Sequence, residues 1–352
     1  MADPCILGIS CMKNEGAFLL EWIAHHRAIG MSDFLIYSND CEDGTDLMLD
    51  RLAAMGGLHH ECNPGPWKRG PQWEALLRAD KHPAQARADW TLVFDVDEFV
   101  NIHIGTGQFG DLITALPEAD AIALTWRFFG NDGVVEFADL PVTEQFRRAA
   151  PTQMLWPWRA SIFKTLLRNR GQYRKLGVHR PRGLKDRATP RWHDGSGNVL
   201  PPLYHKNRLF TPPDRECRRL VQLNHYALGS MENYVVKCDR GRANRDVGGF
   251  DLSYWVERNF CSETDVSIER TRLRREEIRQ ELLGDPVLGP LHAQAVAWRR
   301  ARIDALLLEE APRAMFGRLL LTPPTRPLSE SDARRMLRLG QLAHRTQPDD
   351  EL

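Results

Sequence analysis

The sequence has no long hydrophobic run and no excess of charge of either sign. Of its 352 residues, 47 are Lys or Arg and 47 are Asp or Glu, so the formal net charge is zero. General nucleic-acid binders carry a large basic excess, so this balance argues against nucleic acid as a partner. No stretch approaches 18 uninterrupted apolar residues, and we therefore predict no membrane span.

Close cysteine pairs are also missing. The seven cysteines are scattered between Cys5 and Cys261 without a C-x-x-C pair, which predicts reduced thiols instead of a disulfide frame or a zinc site. The first four residues lack the basic and apolar regions of a signal peptide. We therefore expect a cytoplasmic protein.

Short apolar runs alternate with segments of helical period in the first third of the chain. Apolar residues recur at helical spacing from Phe18 to Ile29, from Leu47 to Met55 and from Trp73 to Ala79. This alternation predicts an α/β fold with a mostly parallel central sheet flanked by helices. The predicted strands cover residues 5–10, 34–37, 58–61, 90–94 and 121–126.

The pattern changes in the second half. Residues 145–191 hold 13 Lys or Arg residues and one acidic residue, Asp186. Within this stretch, the segment 171–190 is either a solvated basic loop or a contact for an anionic acceptor. After about residue 267 the chain becomes helical and charged, and Ser329 with Asp332 forms a capping-box pattern before a last amphipathic helix. We therefore predict a helical C-terminal extension.

An acidic motif, DVDEF at residues 95–99, follows the predicted strand 90–94. Three carboxylates in four residues beside a buried strand are costly unless something neutralises them. Hard divalent ions such as Mg²⁺ or Mn²⁺ prefer carboxylate oxygen, and open α/β sheets bind ligands at the carboxyl ends of their strands. The motif therefore predicts a metal site for Asp95 and Asp97, with an acidic surface turn as the alternative.

Two further polar clusters follow the first two predicted strands. Lys13, Asn14 and Glu15 come after the first strand, and residues 39–45 come after the second. Parallel strands end at one edge of a sheet, so these clusters and the acidic motif should border one cleft suited to a nucleotide base and ribose. Taken alone, they could equally be a helix N-cap and an Asx turn.

Together these segments resemble the family-2-like and family-92-like nucleotide-sugar glycosyltransferases of the GT-A fold. The similar motifs run from about residue 5 to residue 244 and include WRFFG at residues 126–130 and NHY at residues 224–226. The resemblance implies a transferase domain over residues 1–265, with a nucleotide-sugar half to about residue 130 and an acceptor half beyond it. Residues 266–352 would form the helical extension.

The resemblance also implies roles for individual residues. Asp95 and Asp97 match the D-x-D that holds Mn²⁺ or Mg²⁺ on the diphosphate of the donor, and His225 matches the histidine that completes this site. The remaining matches concern the nucleotide. Asn39 and Asp43 match positions near the nucleoside, and Lys13, Asn14 and Glu15 match such positions more loosely. Lys237 and Arg240 are assigned to the charge of the phosphates.

The catalytic base is a separate question, because the family pattern carries no residue over to it. An inverting transferase needs a carboxylate within hydrogen-bond reach of the acceptor hydroxyl. Asp132 follows the strand that ends near Trp126 and is the first candidate, with Glu144 and Asp194 as rivals. The alternative for Asp132 is a turn residue in the Asn-Asp-Gly segment.

The sequence thus predicts a metal-dependent glycosyltransferase that uses a nucleotide sugar, with a UDP-sugar favoured. We expect a carbohydrate or lipid-linked acceptor, a role in polysaccharide or glycoconjugate synthesis, and peripheral membrane contact. A sugar-phosphate nucleotidyltransferase is one alternative, but residues 10–15 lack the expected glycine-rich loop. A catalytically inactive sugar-binding scaffold is another, although it should lack a metal carboxylate.

Overall fold

A computed structural model describes residues 4–241 and 250–346 of the protein. Ten of its strands form one central sheet, and two pairs of short strands lie outside it. In chain order the strands are β1 (Ile6–Met12), β2 (Asp33–Ser38), β3 (His59–Cys62), β4 (Trp90–Val93), β5 (Glu98–Ile102), β6 (Ala121–Phe128), β7 (Arg148–Ala149), β8 (Phe163–Arg168), β9 (Tyr173–Lys175), β10 (Arg182–Leu184), β11 (Trp192–Asp194), β12 (Val199–Leu200), β13 (Val221–His225) and β14 (Glu263–Thr264).

Helices cover the sheet and dominate the last quarter of the described chain. In chain order they are α1 (Gly16–Ala28), α2 (Thr45–Met55), α3 (Pro71–Ala79), α4 (Pro83–Arg87), α5 (Phe109–Ala115), α6 (Val142–Gln145), α7 (Met231–Arg240), α8 (Leu252–Val256), α9 (Arg272–Leu283), α10 (Leu288–Leu308), α11 (Glu310–Leu320) and α12 (Glu330–Thr346). Short 3₁₀ turns occupy Trp158–Ser161, Pro202–His205 and Ser267–Thr271. Within the described residues, no helix is long and apolar enough to cross a membrane.

The first four strands form a parallel block in the order β3-β2-β1-β4. Parallel neighbours need a crossover, and α1 and α2 supply it between β1 and β2 and between β2 and β3. All four strands therefore end at the same edge of the sheet, which carries the polar clusters and the acidic motif. The predicted α/β class, with a mostly parallel sheet flanked by helices, is confirmed.

The far side of the sheet contains antiparallel pairs as well. Strand β8 lies between β4 and β6 and is antiparallel to both. Strand β13 is parallel to β6 and antiparallel to β5, in a register that places His225 opposite Glu98. This pairing brings His225 beside the acidic motif, although the two are far apart in the chain.

Helix α1 is buried on both sides, which explains its many apolar residues. Trp22 stacks on Phe94 with ring centroids 4.7 Å apart. His25 and His26 are fully buried, and their rings contact the backbone carbonyls of Val100 and Trp22, each at 2.8 Å. Helices α9 and α10 cover the outer face of α1.

The C-terminal helices pack on the sheet domain and confirm the predicted helical region. Helix α10 crosses the first turn of α1 so closely that a Cβ atom on Gly16 would lie 2.7 Å from the Cβ of Ala295. Arg51 of α2 donates two hydrogen bonds to Asp285, at 3.1 and 2.6 Å. The Ser329 hydroxyl accepts a hydrogen bond from the Asp332 amide at the start of α12, as the capping pattern predicts.

We expect the buried histidines to make stability fall in acid. Burial lowers the pKa of His26 to about 3, against the opposing hydrogen bond to Trp22. Below pH 6.5 the unfolded chain binds a proton that folded His26 does not, so its share of the stability is lost at about 1.4 kcal/mol per pH unit as the pH falls. We would measure the free energy of unfolding in urea at several pH values between 6.5 and 4.5. It should fall less steeply with falling pH for His26→Gln than for the wild type. Identical slopes would contradict this assignment.

Candidate active site

A cleft of about 340 Å³ opens at the edge where the parallel strands end. Its walls come from the loops after β1 and β2, the acidic motif, the end of β13 and helix α7, and the loop between β9 and β10 adds His179. The volume lies within the range of small-molecule sites. The cleft draws on both the parallel block and the C-terminal half of the sheet domain.

Asp97 lines the cleft and contacts two groups from later in the chain. Its Oδ2 atom accepts a hydrogen bond of 2.7 Å from Lys237 Nζ, and its Oδ1 atom lies 3.6 Å from His225 Nε2. Burial would raise the pKa of Asp97, but the charges of Lys237 and His225 outweigh it and hold this pKa well below its usual range. Asp97 is therefore an anion in the folded protein.

Asp95 and Glu98 share a second lysine, Lys164 from β8. Lys164 Nζ donates to Asp95 Oδ2 at 3.0 Å and lies 3.6 Å from Glu98 Oε2, and both Lys164 and Glu98 are fully buried. Trp126 Nε1 donates to the other Glu98 oxygen at 2.6 Å. Burial raises the pKa of Glu98 to about 8. The charge of Lys164 opposes this shift, and the negative charges of Asp95 and Asp97 add to it.

One oxygen of Asp97 and one nitrogen of His225 are spaced to bind one divalent ion whose other ligands come from a substrate. Two protein ligands of an octahedral ion at about 2.1 Å lie roughly 3 Å apart, close to the spacing of Asp97 Oδ1 and His225 Nε2. Among the described residues, no group of three His, Cys, Asp or Glu side chains could hold an ion by itself. Protein sites for Mg²⁺ often take their remaining ligands from substrate phosphates, so the pair fits such an ion.

Helix α7 contacts the turn after β1 through Arg240. Arg240 forms an ion pair with Glu15 and donates a hydrogen bond of 3.0 Å to the carbonyl of Lys13. Asn14 adopts a left-handed backbone, and its side-chain oxygen accepts a 2.8 Å hydrogen bond from the Glu42 amide. Of the predicted residues in this turn, Lys13 and Glu15 line the cleft, and Asn14 links two loops.

Asn39 and Asp43 are both buried in the loop after β2. Asn39 lines the cleft, and its side-chain oxygen accepts a hydrogen bond of 2.6 Å from Asn63. Asp43 accepts hydrogen bonds from the amides of Gly16 and Thr45, each at 2.9 Å, and thereby joins this loop to the start of α1. The structure brings both residues to the predicted edge, and Asp43 bonds to the backbone there.

The base candidates lie apart from the residues that line the cleft. Asp132 is exposed in a turn with a left-handed backbone, next to Asn131, whose side chain accepts a hydrogen bond from Gly133. Glu144 pairs with Arg272, and Asp194 is fully buried, where it binds loop amides. The role of Asp132 as the base stays a prediction.

Three buried cations of the site, Lys164, Arg258 and Arg299, were not among the predicted residues. Lys164 could have been found, because it is a single lysine inside the apolar strand Phe163–Arg168. Arg299, which lines a recess beyond Asp97, comes from the middle of α10. No local signal distinguishes it from the arginines around it.

Comparison with known families assigns the chain. The family model for glycosyltransferase family 92 matches residues 7–203, more than half of the sequence. The chain belongs to glycosyltransferase family 92. This membership supports transferase activity, and the matched region runs from β1 to β12 and includes the acidic motif and Lys164.

Similar proteins carry the same family name. A family 92 protein from Ricinus communis is 31% identical over 105 residues, which are 30% of this chain and 18% of that protein. One from Oryza sativa subsp. japonica is 26% identical over 145 residues, 40% of this chain and 24% of that protein. The chain thus spans less than a quarter of the length of these curated relatives.

Solved structures show more distant likenesses. A crystal structure of TarS from S. aureus aligns over 43% of this family 92 chain, with 16% identity, 24% coverage of TarS and a TM-score of 0.28. The 1–349 fragment of TarS, solved in complex with UDP, aligns over 38% of each chain with 12% identity and a TM-score of 0.27. Neither likeness bears on function.

We predict that Lys164 stabilises the fold mainly by compensating Glu98. At pH 9, above the pKa of Glu98, Lys164→Met takes the cation away from an ionised buried carboxylate, and breaking a buried pair in this way costs about 3–5 kcal/mol. The double variant Lys164→Met/Glu98→Gln removes both charges and should regain much of this loss. Urea unfolding at pH 9 measures all the variants, with Lys175→Met, at an exposed lysine, as the control. A single variant as stable as the wild type would refute the compensation.

Proposed function

We propose that this protein transfers a sugar from a nucleotide-sugar donor, with a UDP-sugar favoured, to an acceptor hydroxyl, and that it requires Mn²⁺ or Mg²⁺. Membership of glycosyltransferase family 92 supports the transferase activity. The donor, the acceptor and the ion are the proposal. They rest on the arrangement of charges in the cleft and on the resemblance of its motifs to those of nucleotide-sugar transferases.

The observation that carries the proposal is the meeting of Asp97 with Lys237, 140 residues later in the chain, and with His225. A carboxylate and an imidazole offer two ligands to a hard ion, and Lys237 and Arg240 provide positive charge on the same wall. A diphosphate is an anion that can bind the ion and the two cations together. The cleft beside them, bordered by Asn39, has room for a nucleoside.

The chemistry of transfer requires this charge. Breaking the glycosidic bond of the donor leaves a nucleoside diphosphate, whose negative charge grows in the transition state. Lys237 is held in place by hydrogen bonds of 2.7 Å to Asp97 and to the Ala227 carbonyl, so its ammonium group needs little reorganisation to stabilise that charge. When bound, the ion supplies further charge neutralisation on the leaving group.

The acceptor side of the proposal follows the sequence expectations. We propose a carbohydrate or lipid-linked acceptor, with Asp132 as the base that removes the proton of its hydroxyl. We also propose polysaccharide or glycoconjugate synthesis in the cytoplasm, with peripheral membrane contact. The basic hairpin formed by β9 and β10 supports contact with an anionic acceptor, because its connecting loop borders the cleft.

Binding of UDP tests the donor and the ion together. We expect calorimetry to detect UDP binding with Mn²⁺ present and at least about tenfold weaker binding in EDTA, since the ion joins Asp97 to the diphosphate. Asp97→Asn should weaken binding in Mn²⁺ to a similar extent. Asp186→Asn, at an exposed aspartate of the basic region, is the matched control and should bind as the wild type does. Equal binding with and without the ion would contradict the proposed metal dependence.

Turnover distinguishes the proposed enzyme from its alternatives. A glycosyltransferase should release UDP from its UDP-sugar when a suitable acceptor is present, and slowly by hydrolysis when none is. Pyrophosphate release from a nucleoside triphosphate and a sugar phosphate would indicate a nucleotidyltransferase instead. Binding of UDP-sugars without any release of UDP would indicate an inactive scaffold.

A further inference from the structure

Arg299 of α10 reaches the cleft from the C-terminal helical region. Beyond Asp97 the cleft continues into a recess enclosed by α1, α7 and α10, and Arg299 lines it together with Lys237 and Arg240. Only 3% of Arg299 is exposed. A residue from the end of the chain therefore forms part of the wall behind the predicted diphosphate site.

The guanidinium group of Arg299 joins the two sides of this recess. Its Nη1 atom donates a 2.6 Å hydrogen bond to Asn233 of α7, and its Nη2 atom donates one of 2.6 Å to the backbone carbonyl of Asn14. It also lies over the ring of Phe18 in α1, at 4.7 Å from the centroid. One planar side chain thus connects the turn after β1, the first turns of α1 and helix α7.

These contacts fix the parts that carry the phosphate-facing cations. Arg240 donates to the Lys13 carbonyl and pairs with Glu15, on either side of the Asn14 carbonyl that Arg299 holds. A shift of this turn against α7 would move the Arg240 pair and, through the same helix, Lys237. Because the turn has a left-handed residue at Asn14, its conformation needs such outside support.

The charge of Arg299 is compensated only indirectly in the described part of the protein. Its two hydrogen bonds go to neutral oxygens, and its Nε atom has no hydrogen-bond partner among the described residues. Burial lowers its pKa to about 10, opposed by the charge of Asp43. The described residues of the recess include three cations but two carboxylates, Glu15 and Asp97. A bound anion would balance this excess.

We propose that Arg299 is a positioning residue of the donor site. It holds the turn at residues 13–15 against α7, so that Lys237 and Arg240 face the diphosphate of the donor, and its own charge favours that anion. This proposal rests on the proposed nucleotide-sugar function, and it makes the C-terminal helical region part of the substrate site.

Helix α10 offers a matched control one turn further along. Arg302 also links α10 to α7, through an ion pair of 2.8 Å with Asp239, but this pair is partly exposed and neither residue lines the cleft or the recess. Removing either arginine deletes one cation and one contact between the same two helices. A purely structural role for Arg299 therefore predicts similar behaviour of the two variants toward ligand.

The test measures UDP affinity in Mn²⁺ and thermal stability on the full chain. We expect Arg299→Met to bind UDP about tenfold or more weakly than the wild type, whereas Arg302→Met should stay within about twofold. Arg299→Lys keeps the charge but cannot span both acceptors, so it should bind with intermediate affinity. It also serves as the test variant if Arg299→Met does not fold.

The outcomes separate this proposal from the proposed function. If the wild type binds UDP and the folded Arg299 variants bind it within twofold, Arg299 does not position the donor and the proposed function stands. If affinity falls equally for the Arg299 and Arg302 variants, the effect is structural and the proposal is wrong. If the wild type binds no UDP, the proposed function fails and the role of Arg299 fails with it.

Discussion

Compensation of the acidic motif is the constraint on which the rest of this structure depends. Three carboxylates follow β4 directly, and Glu98 among them has no exposed surface. Such groups are tolerated inside a protein only when cations or hydrogen-bond donors face them. Two lysines face the motif: Lys164 of β8 pairs with Asp95, and Lys237 of α7 pairs with Asp97. The antiparallel strand between β4 and β6 thus has an electrostatic role besides its place in the sheet.

This arrangement makes the two aspartates of the motif unequal. Both oxygens of Asp95 accept hydrogen bonds, one from Lys164 and one from Gln72. Asp97 uses one oxygen for Lys237 and turns the other toward His225. Asp97 therefore has the freer oxygen for a ligand, and Asp95 is tied to the sheet beneath. The separation of the two roles comes from strand order and not from the motif itself.

Local patterns predicted the elements around β1 to β4, because each alternates with its helix within a few tens of residues. They also predicted that the polar clusters end at one edge, since this follows from parallel strands alone. The pairing of β13 with β5 could not be predicted, because nothing near Val221–His225 specifies a partner so distant in the chain. The role of Arg299 is harder still to predict. It stands beside Arg300 in a charged helix, and only its hydrogen bond to the Asn14 carbonyl distinguishes it from its neighbour.

The close crossing of α10 over α1 brings the first helix of the chain against one of its last three helices. Gly16 leaves room there for Ala295, and two positions away the carbonyl of Asn14 receives Arg299. A larger residue at position 16 would need a compensating change near position 295. Such paired sites should vary together among homologues of full length, and a fragment trimmed before Leu288 would lose one partner of each pair.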